Sequence, residues 1–495
     1  MKINERSWLY VARCQIEAES GFMLSTGSSD SLFDNLIVRD ANGLPTIPGT
    51  TLAGVLRHRY ESWFEKHPGE STQDLFGYAE SENNGSISAV AVSFALIHDS
   101  TNSPVERRVG HISDDYILER LIQSHPLQRD RVKINNRGVA SDQAKFDTTL
   151  APKGCRFTFE IRLWSQEENS SSWDRIMDML RYPIHLGRGT RSGYGKFSTV
   201  VLKWECFNLK DDSGWKRFCR LPGALAGEFD FKHVVERDTE VLKIPHTVTV
   251  SMDLEPEDYW RFGQTGTPTV VMEHSPDDTV FTEPVIHWGR EDSGKGDAKA
   301  NFDVERRMLV IPASGLKGAI SHRVLYHYHR LECMASEDSE SWAMDDEQTR
   351  WERVVELFGD LKANVDDEES GRAGILTFED VYLDFVQKDI GVMQHNSIDR
   401  FTGGTIDGAL FSEELIWKTS FTLRIHVDLI RGESISSQSR EALHLALKDL
   451  AEGRLSLGAA SSRGHGYFSC PGLDWSDGGK WINVSPRQEE NSDNE

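Results

Sequence analysis

The sequence of 495 residues is poor in cysteine and has no long apolar run. The cysteines are Cys14, Cys155, Cys206, Cys219, Cys333 and Cys470. They form no CxxC pair, which argues against zinc ribbons and disulfide frameworks and suits a reducing compartment. No apolar stretch is long enough to cross a bilayer, and the first ten residues lack the layout of a signal peptide. We therefore expect a cytoplasmic protein without a membrane partner.

Positive charge is also scarce. Lysine and arginine number 55 against 79 aspartates and glutamates, a net charge of −24. Nucleic-acid-binding proteins usually carry a basic footprint, so the total counts against that class. The acid is clumped, however, at 337–347, at 366–369 and in the tail after 489. Such runs are usually solvated loops or ends, so net charge neither supports nor excludes a role with RNA.

Glycine, by contrast, is concentrated in two related loops. The first lies between Ile184 and Phe197 and the second between Leu455 and Phe468. The first loop carries three cations and no acid, and backbone amides beside guanidinium groups suit phosphate. A dinucleotide-binding loop opens a helix in a βαβ unit, whereas these loops come late in each half and lead into a strand-like run. The sequence therefore does not predict a nucleotide cofactor.

The two loops close two halves that share further landmarks in the same order. The matched segments are Ile47–Arg57 with Ile311–Ser321, Asp74–Gly77 with Glu356–Gly359, and Ile134–Asp147 with Ile398–Ser412. Strand-like runs and two segments with helical spacing, Trp173–Leu180 and Arg440–Leu450, also recur. Each half therefore follows the order β, loop, α, β, long insertion, β, α, loop, β.

This order predicts an α+β fold with two tandem ferredoxin-like sheets, of the kind found in RNA-recognition modules. The expected domains are 1–205 and 246–483, with insertions at about 109–146 and 384–411. Residues 206–245 form a connection that mixes charged and aromatic residues, so we expect it to be ordered and packed. Residues 484–495 are expected to be a disordered acidic tail.

The motifs together resemble the RAMP (repeat-associated mysterious protein) superfamily. They are the IPG-[ST]-x-L-x-G-x-x-R helix start, the IDRxTG insertion and the terminal glycine loop. They are most similar to the backbone subunits of type III CRISPR effector complexes, and two fused domains resemble type III-D variants. The resemblance implies two RAMP domains with inserted thumb hairpins. It also implies a protein that binds CRISPR RNA among other type III subunits and cuts the paired target RNA.

The resemblance further implies a catalytic aspartate in the loop after the first strand, where Asp34 stands. A carboxylate beside a kinked ribose-phosphate could hold a divalent metal or orient the attacking 2′-hydroxyl, and oxygen ligands suit Mg²⁺. Asp30 and Asp40 are nearby alternatives, and an aspartate in such a loop is also a common turn residue.

The second half departs from this pattern, because Thr282 stands where Asp34 does. Threonine cannot bind a metal as a carboxylate does, so we expect the second half to bind RNA without cutting it. Glu283 or Asp278 could substitute for the missing aspartate.

The resemblance assigns contacts with RNA to the helix starts, the thumbs and the glycine loops. The implied RNA-binding residues are Arg57, Arg131, Lys133, Arg137, Gly187, Arg188, Gly189, Arg191, Gly193, Lys196, Lys317, Arg323, Arg400, Arg463, Gly464 and His465. Helix N-termini favour phosphate in any case, although a solvated helix start is an alternative. Asp399 and Arg400 could equally form a local salt bridge.

Two other functions stay open at this point. The chain could be a scaffold for CRISPR RNA in which Asp34 is structural, or a guide-processing endoribonuclease that uses a histidine without metal. His185 sits in an apolar context and is expected to pack in a core, whereas the glycines around His465 are expected to expose it. The duplication and Thr282 make the guide-processing hypothesis the weakest.

Overall fold

The computed structural model describes residues 7–25, 37–64, 71–81, 84–134, 140–237, 242–264, 276–289, 299–301, 307–335, 354–359, 373–432 and 435–483, and all structural statements below concern these residues. Each half contains an antiparallel sheet with helices on one face and a hydrophobic core of its own. The α+β class expected from the sequence is confirmed.

The first half and the connection contain eleven strands and five helices in the described part of the chain. The strands are β1 (Trp8–Ala18), β2 (Tyr78–Ser81), β3 (Asn84–Ser86), β4 (Val90–Val92), β5 (Leu96–Ile97), β6 (Leu127–Ile134), β7 (Ala140–Leu150), β8 (Arg156–Ser165), β9 (Ile184–His185), β10 (Lys196–Asn208) and β11 (His233–Glu236). The helices are α1 (Gly49–Phe64), α2 (Thr72–Phe76), α3 (Tyr116–Leu121), α4 (Ser171–Met179) and α5 (Asp212–Phe218).

The second half has a similar inventory within the described ranges. The strands are β12 (Thr247–Pro256), β13 (Tyr259–Trp260), β14 (Gly263–Gln264), β15 (Thr279–Val280), β16 (Thr282–Pro284), β17 (His287–Gly289), β18 (Lys299–Asn301), β19 (Arg307–Ile311), β20 (Leu376–Phe378), β21 (Val381–Leu383), β22 (Ile390–His395), β23 (Phe411–Trp417), β24 (Phe421–Asp428), β25 (Phe468–Ser469) and β26 (Asp474–Trp475). The helices are α6 (Ala313–Ala335), α7 (Val355–Phe358), α8 (Leu429–Gly432) and α9 (Ser437–Ala451).

The main strands of the two sheets have the same order in space. In the first half the order is β10-β1-β8-β4, and in the second it is β25-β12-β24-β20. The first strand of each half lies at the centre of its sheet, where alternate residues face the core. In β12, for example, Val248 and Val250 are buried in the core, while Thr249 and Ser251 lie on the outer face and are only partly buried.

The helices cover the inner face of each sheet, and α4 and α9 each begin at a serine cap. Ser170 accepts a hydrogen bond from the backbone of Trp173 at the start of α4, and Ser436 does the same for Ser439 at the start of α9. A serine at this position satisfies a backbone N–H that the helix itself cannot pair. The apolar face of α4, with Trp173 and Ile176, then enters the first core.

The outer face of the first sheet is covered by the connection between the halves. Leu9, Val11 and Phe207 on this face are buried in a small core of their own, which Phe218 and Phe229 of the connection complete. RNA-recognition modules stack bases on aromatic side chains of the corresponding open sheet face. The connection therefore covers this part of the face, although Trp164, which pairs with Leu9, is 38% exposed.

Each half contains a hairpin, and along the chain this hairpin comes just before the strand that pairs with the first strand of that half. The first is β6–β7 and the second is β22–β23. The first hairpin reaches the second half, where His322 Nε2 lies 3.2 Å from the carbonyl oxygen of Ile134. Within the described portion of the chain, no helix combines the length and apolarity needed to cross a bilayer.

Candidate nucleic-acid interface

Both glycine loops fold into the same turn, held by the same set of backbone hydrogen bonds. The first turn uses Leu186 N to Gly195 O (2.8 Å), Arg188 N to Met23 O (3.0 Å), Tyr194 N to Gly189 O (3.3 Å) and Gly195 N to Gly21 O (3.0 Å). The second uses Leu457 N to Gly466 O (2.8 Å), Ala459 N to Arg261 O (2.8 Å), His465 N to Ala460 O (3.3 Å) and Gly466 N to Tyr259 O (2.9 Å). The duplication seen in the sequence therefore extends to individual backbone contacts.

Glycine is required in these turns because the backbone passes very close to a neighbouring segment of the chain. Gly187 has a φ of +89°, and a Cβ atom there would stand 2.1 Å from the carbonyl oxygen of Met23. Gly458 has a φ of +87° and the equivalent distance to Arg261 is 2.2 Å. A side chain would clash and would also be strained at this φ.

This finding corrects the reason given above for the glycines. Loop amides were expected to be free for phosphate, but those of Arg188, Ser192, Tyr194 and Gly195 donate hydrogen bonds within the protein. The glycines at the two ends of each turn therefore serve close backbone packing. Whether the turn also contacts RNA stays a prediction.

The first turn lies against the second half. The backbone N–H of Phe378 donates to the carbonyl of Arg191 at 3.3 Å, and Gly193 is buried beside Asp380. Gly187 and Arg188 are exposed, and Gly189 is partly buried.

Lys196, which follows the first turn, bridges the two halves through carboxylates of both. It contacts Glu379 at 2.7 Å and Glu19 at 3.2 Å. Burial works to lower the pKa of Lys196, but the two carboxylates outweigh it and the pKa is raised. In Arg191, which lies 4.0 Å from Asp428, burial lowers the pKa.

The second turn presents different side chains. Arg463 donates to Glu413 at 2.9 Å, and Gly464 is exposed with open space around its Cα. His465 was expected to be exposed, but it is 7% exposed and burial lowers its pKa. His185 is half-buried, and burial lowers its pKa to about 3. Both imidazoles are therefore neutral near neutral pH.

The cations of the helix starts bind protein carbonyls and carboxylates. Arg57 donates to the carbonyl of Gly77 at 3.2 Å, and Lys317 donates to that of Phe358 at 3.0 Å. Both side chains thus satisfy the C-terminal end of a short helix, α2 in one half and α7 in the other. Burial lowers the pKa of Lys317 to about 8. Arg323 pairs with Asp449 of α9 at 2.5 Å.

The hairpins present cations and aromatic groups to solvent. Arg131 donates to the Thr148 hydroxyl at 3.2 Å, while Lys133 is exposed. Arg400 is exposed beside Phe401, which is 99% exposed. Arg137 lies outside the described residues.

The IDRxTG turn that carries Phe401 is capped by its own aspartate. Asp399 accepts hydrogen bonds at 2.8 Å from the backbone N–H groups of Phe401 and Thr402. It therefore does not form the local salt bridge with Arg400 that the sequence left open.

Three aspartates were candidates for the metal site of the first half. Asp34 and Asp30 lie outside the described residues. Asp40 accepts hydrogen bonds from the backbone N–H groups of Asn42 at 2.8 Å and Leu44 at 2.9 Å. Asp40 is thus a turn residue, as aspartate commonly is.

In the second half, the carboxylates that could replace the missing aspartate are paired with arginines. Thr282 is buried and accepts a hydrogen bond from Arg307 at 2.8 Å. Glu283 forms a bidentate pair with Arg129, and Asp278 lies 3.0 Å from Arg261. In the part of the chain that the structure describes, no cluster of three or more His, Cys, Asp or Glu side chains could hold a metal.

Arg129 is the residue that sequence reasoning missed. It is 3% exposed and inserts from β6 into the second half. It contacts Glu283, Asp380 at 2.6 Å and the Tyr382 hydroxyl at 3.0 Å, and we call these four residues the interdomain clasp. Its partners lie 154 and 251 residues away along the chain, so no local pattern in the sequence marks it.

Two α+β halves with one strand order and one glycine turn define a tandem-repeat protein. A family model, the RAMP superfamily, matches residues 15–198 and 264–469. These segments make up most of the chain, which therefore belongs to the RAMP superfamily and contains two RAMP domains. Membership implies a CRISPR-associated, RNA-binding protein. A comparison with curated proteins finds no match.

Proposed function

We propose that the chain is a backbone subunit of a type III CRISPR effector complex, with a fused arrangement similar to type III-D. It binds CRISPR RNA and cuts complementary target RNA at one site in the first half. The observation that carries this proposal is the duplicated glycine turn within a twofold RAMP match. Each half is then a ferredoxin-like unit, and the hairpins β6–β7 and β22–β23 are its thumbs.

The described surface supports contacts with single-stranded RNA at the second hairpin. Phe401 is an exposed aromatic side chain and Arg400 an exposed cation at its tip. Splayed bases stack on aromatic side chains, and arginine binds the phosphate backbone. In the first hairpin, Lys133 and Arg131 supply cations. Arg57, Lys317 and Arg323 already have protein partners, so their contribution to RNA binding is smaller than the sequence indicated.

The proposed cutting site depends on Asp34. Mg²⁺ is typically held by one or two carboxylates together with substrate phosphate oxygens, so one aspartate and the bound RNA form an acceptable ligand set. The metal would stabilise negative charge on the phosphate. The reaction is attack of a ribose 2′-hydroxyl on the adjacent phosphate, in which the bond from phosphorus to the 5′-oxygen of the next nucleotide breaks. The products then carry a 2′,3′-cyclic phosphate and a 5′-hydroxyl group. The second half binds without cutting, because Thr282 replaces the aspartate and both neighbouring carboxylates are paired with arginine.

The test compares Asp34→Asn with Asp30→Asn in a complex loaded with guide RNA and complementary target RNA. We expect Asp34→Asn to abolish cutting at one position while RNA binding stays unchanged, and Asp30→Asn to cut normally. A complex in which Asp34→Asn cuts normally would support the scaffold hypothesis instead. If the isolated chain cleaves precursor RNA in EDTA, it is a guide-processing enzyme.

The RNA-binding part of the proposal has a separate test. The purified chain, expressed with its guide, should carry a short RNA of uniform length. A chain that elutes free of RNA under these conditions, and binds none when mixed with guide, is not a backbone subunit.

A further inference from the structure

A cleft of about 820 Å³ separates the outer face of the second sheet from the first half. This volume is within the range of sites for small organic ligands. One wall comes from β12 and β24, the opposite wall from Arg181 and the start of β10, and the end from residues 242–244 of the connection. None of the RNA contacts proposed above uses this cleft except Lys196 at its edge.

The wall from the second sheet offers a cation and hydroxyl groups. Arg424 is exposed on β24, and no hydrogen bond or ion pair engages its guanidinium among the described residues. Beside it, Thr249 and Ser251 of β12 line the cleft. His426 is held between the Thr249 hydroxyl at 2.8 Å and Glu379 at 2.7 Å, so this wall is preorganised.

Positive charge remains in the cleft after the internal ion pairs are counted. Glu19 and Glu379 are neutralised by Lys196 at 3.2 and 2.7 Å, and Glu19 also by Arg237. Within the described ranges, Lys243 donates to one group, the backbone carbonyl of Ser476, at 3.4 Å. Among the described lining residues, Arg424 and Lys243 therefore face a single further carboxylate, that of Asp474, while Arg181 lies 3.9 Å from Asp178.

The rest of the lining is apolar or hydroxylic. Leu242 and Ile244 are partly buried and give the cleft an apolar patch beside Lys243. Ser198 and Thr199 face it from the first half. Cations, hydroxyl groups and an apolar patch together match a phosphate, a ribose and a base.

We propose that this cleft binds a nucleoside monophosphate, either free or as the 5′-phosphorylated end of an RNA. The phosphate lies against Arg424 and Lys243, the ribose against the hydroxyls of β12, and the base against Leu242 and Ile244. Because this site rests on the cleft itself, it stands or falls independently of the cutting site at Asp34.

The test uses the full chain freed of RNA and calorimetric titration with AMP, adenosine and a 5′-phosphorylated tetra-adenylate. We expect saturable binding of AMP, at least tenfold weaker binding of adenosine, and a loss of about ten- to a hundredfold in Arg424→Glu. Arg220→Glu is the matched control, because Arg220 is also exposed but does not line the cleft. It should bind AMP normally.

Binding of the tetra-adenylate without AMP, lost in Arg424→Glu, identifies an RNA end as the ligand. Absence of saturable binding for both probes overturns the proposal, as does an equal loss in both variants. Ser251→Trp provides a second check, since it fills the cleft without changing charge, and it should also abolish binding. Unchanged thermal unfolding of each variant excludes a folding defect. Guide RNA binding and target cutting should persist in Arg424→Glu, which separates this site from the proposed function.

Discussion

Replacement of Arg129 by methionine should weaken the attraction between the two halves while it preserves the apolar part of the side chain. The guanidinium is the common partner of Glu283 and Asp380, whose side chains are 2% and 0% exposed. Methionine has an unbranched, flexible side chain that can follow the path of the arginine's aliphatic stem. The variant therefore removes charge with little change in shape.

The expected loss is large because two buried carboxylates lose their cation. Breaking a buried ion pair by removing one partner costs about 3–5 kcal/mol. Burial already raises the pKa of Asp380 to about 6, against the attraction of Arg129. Without Arg129 the pKa of Asp380 rises further. A buried carboxyl group with a raised pKa costs little stability while it is protonated. Its cost to the folded state appears as pH rises through that pKa and the group ionises. The loss should be about 4 kcal/mol at pH 7.5 and smaller at pH 5.

The measurement is urea unfolding followed by tryptophan fluorescence at both pH values. Arg131→Met is the matched control, since Arg131 lies two residues away on β6 and donates to one hydroxyl group. We expect it to cost about 1 kcal/mol. Adding Glu283→Gln and Asp380→Asn to Arg129→Met should recover part of the loss. The reasoning is refuted if Arg129→Met and Arg131→Met are equally stable, or if the loss is the same at both pH values.

Three further predictions concern single residues. Gly187→Ala should lower the free energy of unfolding by about 2 kcal/mol or more, because its Cβ would clash with the Met23 carbonyl. Gly54→Ala in α1, where a Cβ has open space, should raise it by about 1 kcal/mol in thermal unfolding. Equal effects of the two variants would contradict the close-approach argument. Phe401→Ser should change unfolding stability by less than about 0.5 kcal/mol yet weaken single-stranded RNA binding about tenfold in fluorescence anisotropy; unchanged binding would rule out base stacking. Burial lowers the pKa of His98 to about 4, so stability should fall as pH drops from about 6.5 to 4, and His98→Gln should flatten that part of the curve; an unaltered slope would refute this.

The repeat and the class of fold could be predicted from the sequence because both depend on local patterns. The glycine spacing is set by a turn that cannot accept a side chain at Gly187 or Gly458, so it is the same in both halves. Strand and helix periodicity likewise reflects contacts within one sheet and its helices. The α+β class, the duplication and the RAMP family are confirmed.

The contacts between distant segments could not be predicted in this way. Arg129 lies 154 residues from Glu283 and 251 residues from Asp380, so no local spacing connects them. The same limit explains His465, whose glycine neighbours indicated exposure while the fold buries it. It also explains Arg57, whose carbonyl partner belongs to another helix. Residue type indicated a cation, but only the fold shows what it binds.

The interdomain clasp gives the contact surface between the halves an unusual chemistry. The centre of the clasp consists of charged groups and a phenol rather than apolar side chains. If such a chain were divided by proteolysis or by gene fission, each fragment would expose the charged groups of the clasp, which water solvates well, and the second fragment would also expose Ile286 and Trp288, which pack against the first core. The fragments would then recognise one another by matched charge. Because charged groups form part of the contact between the halves, a fused protein of this kind could be divided into two chains that still bind each other.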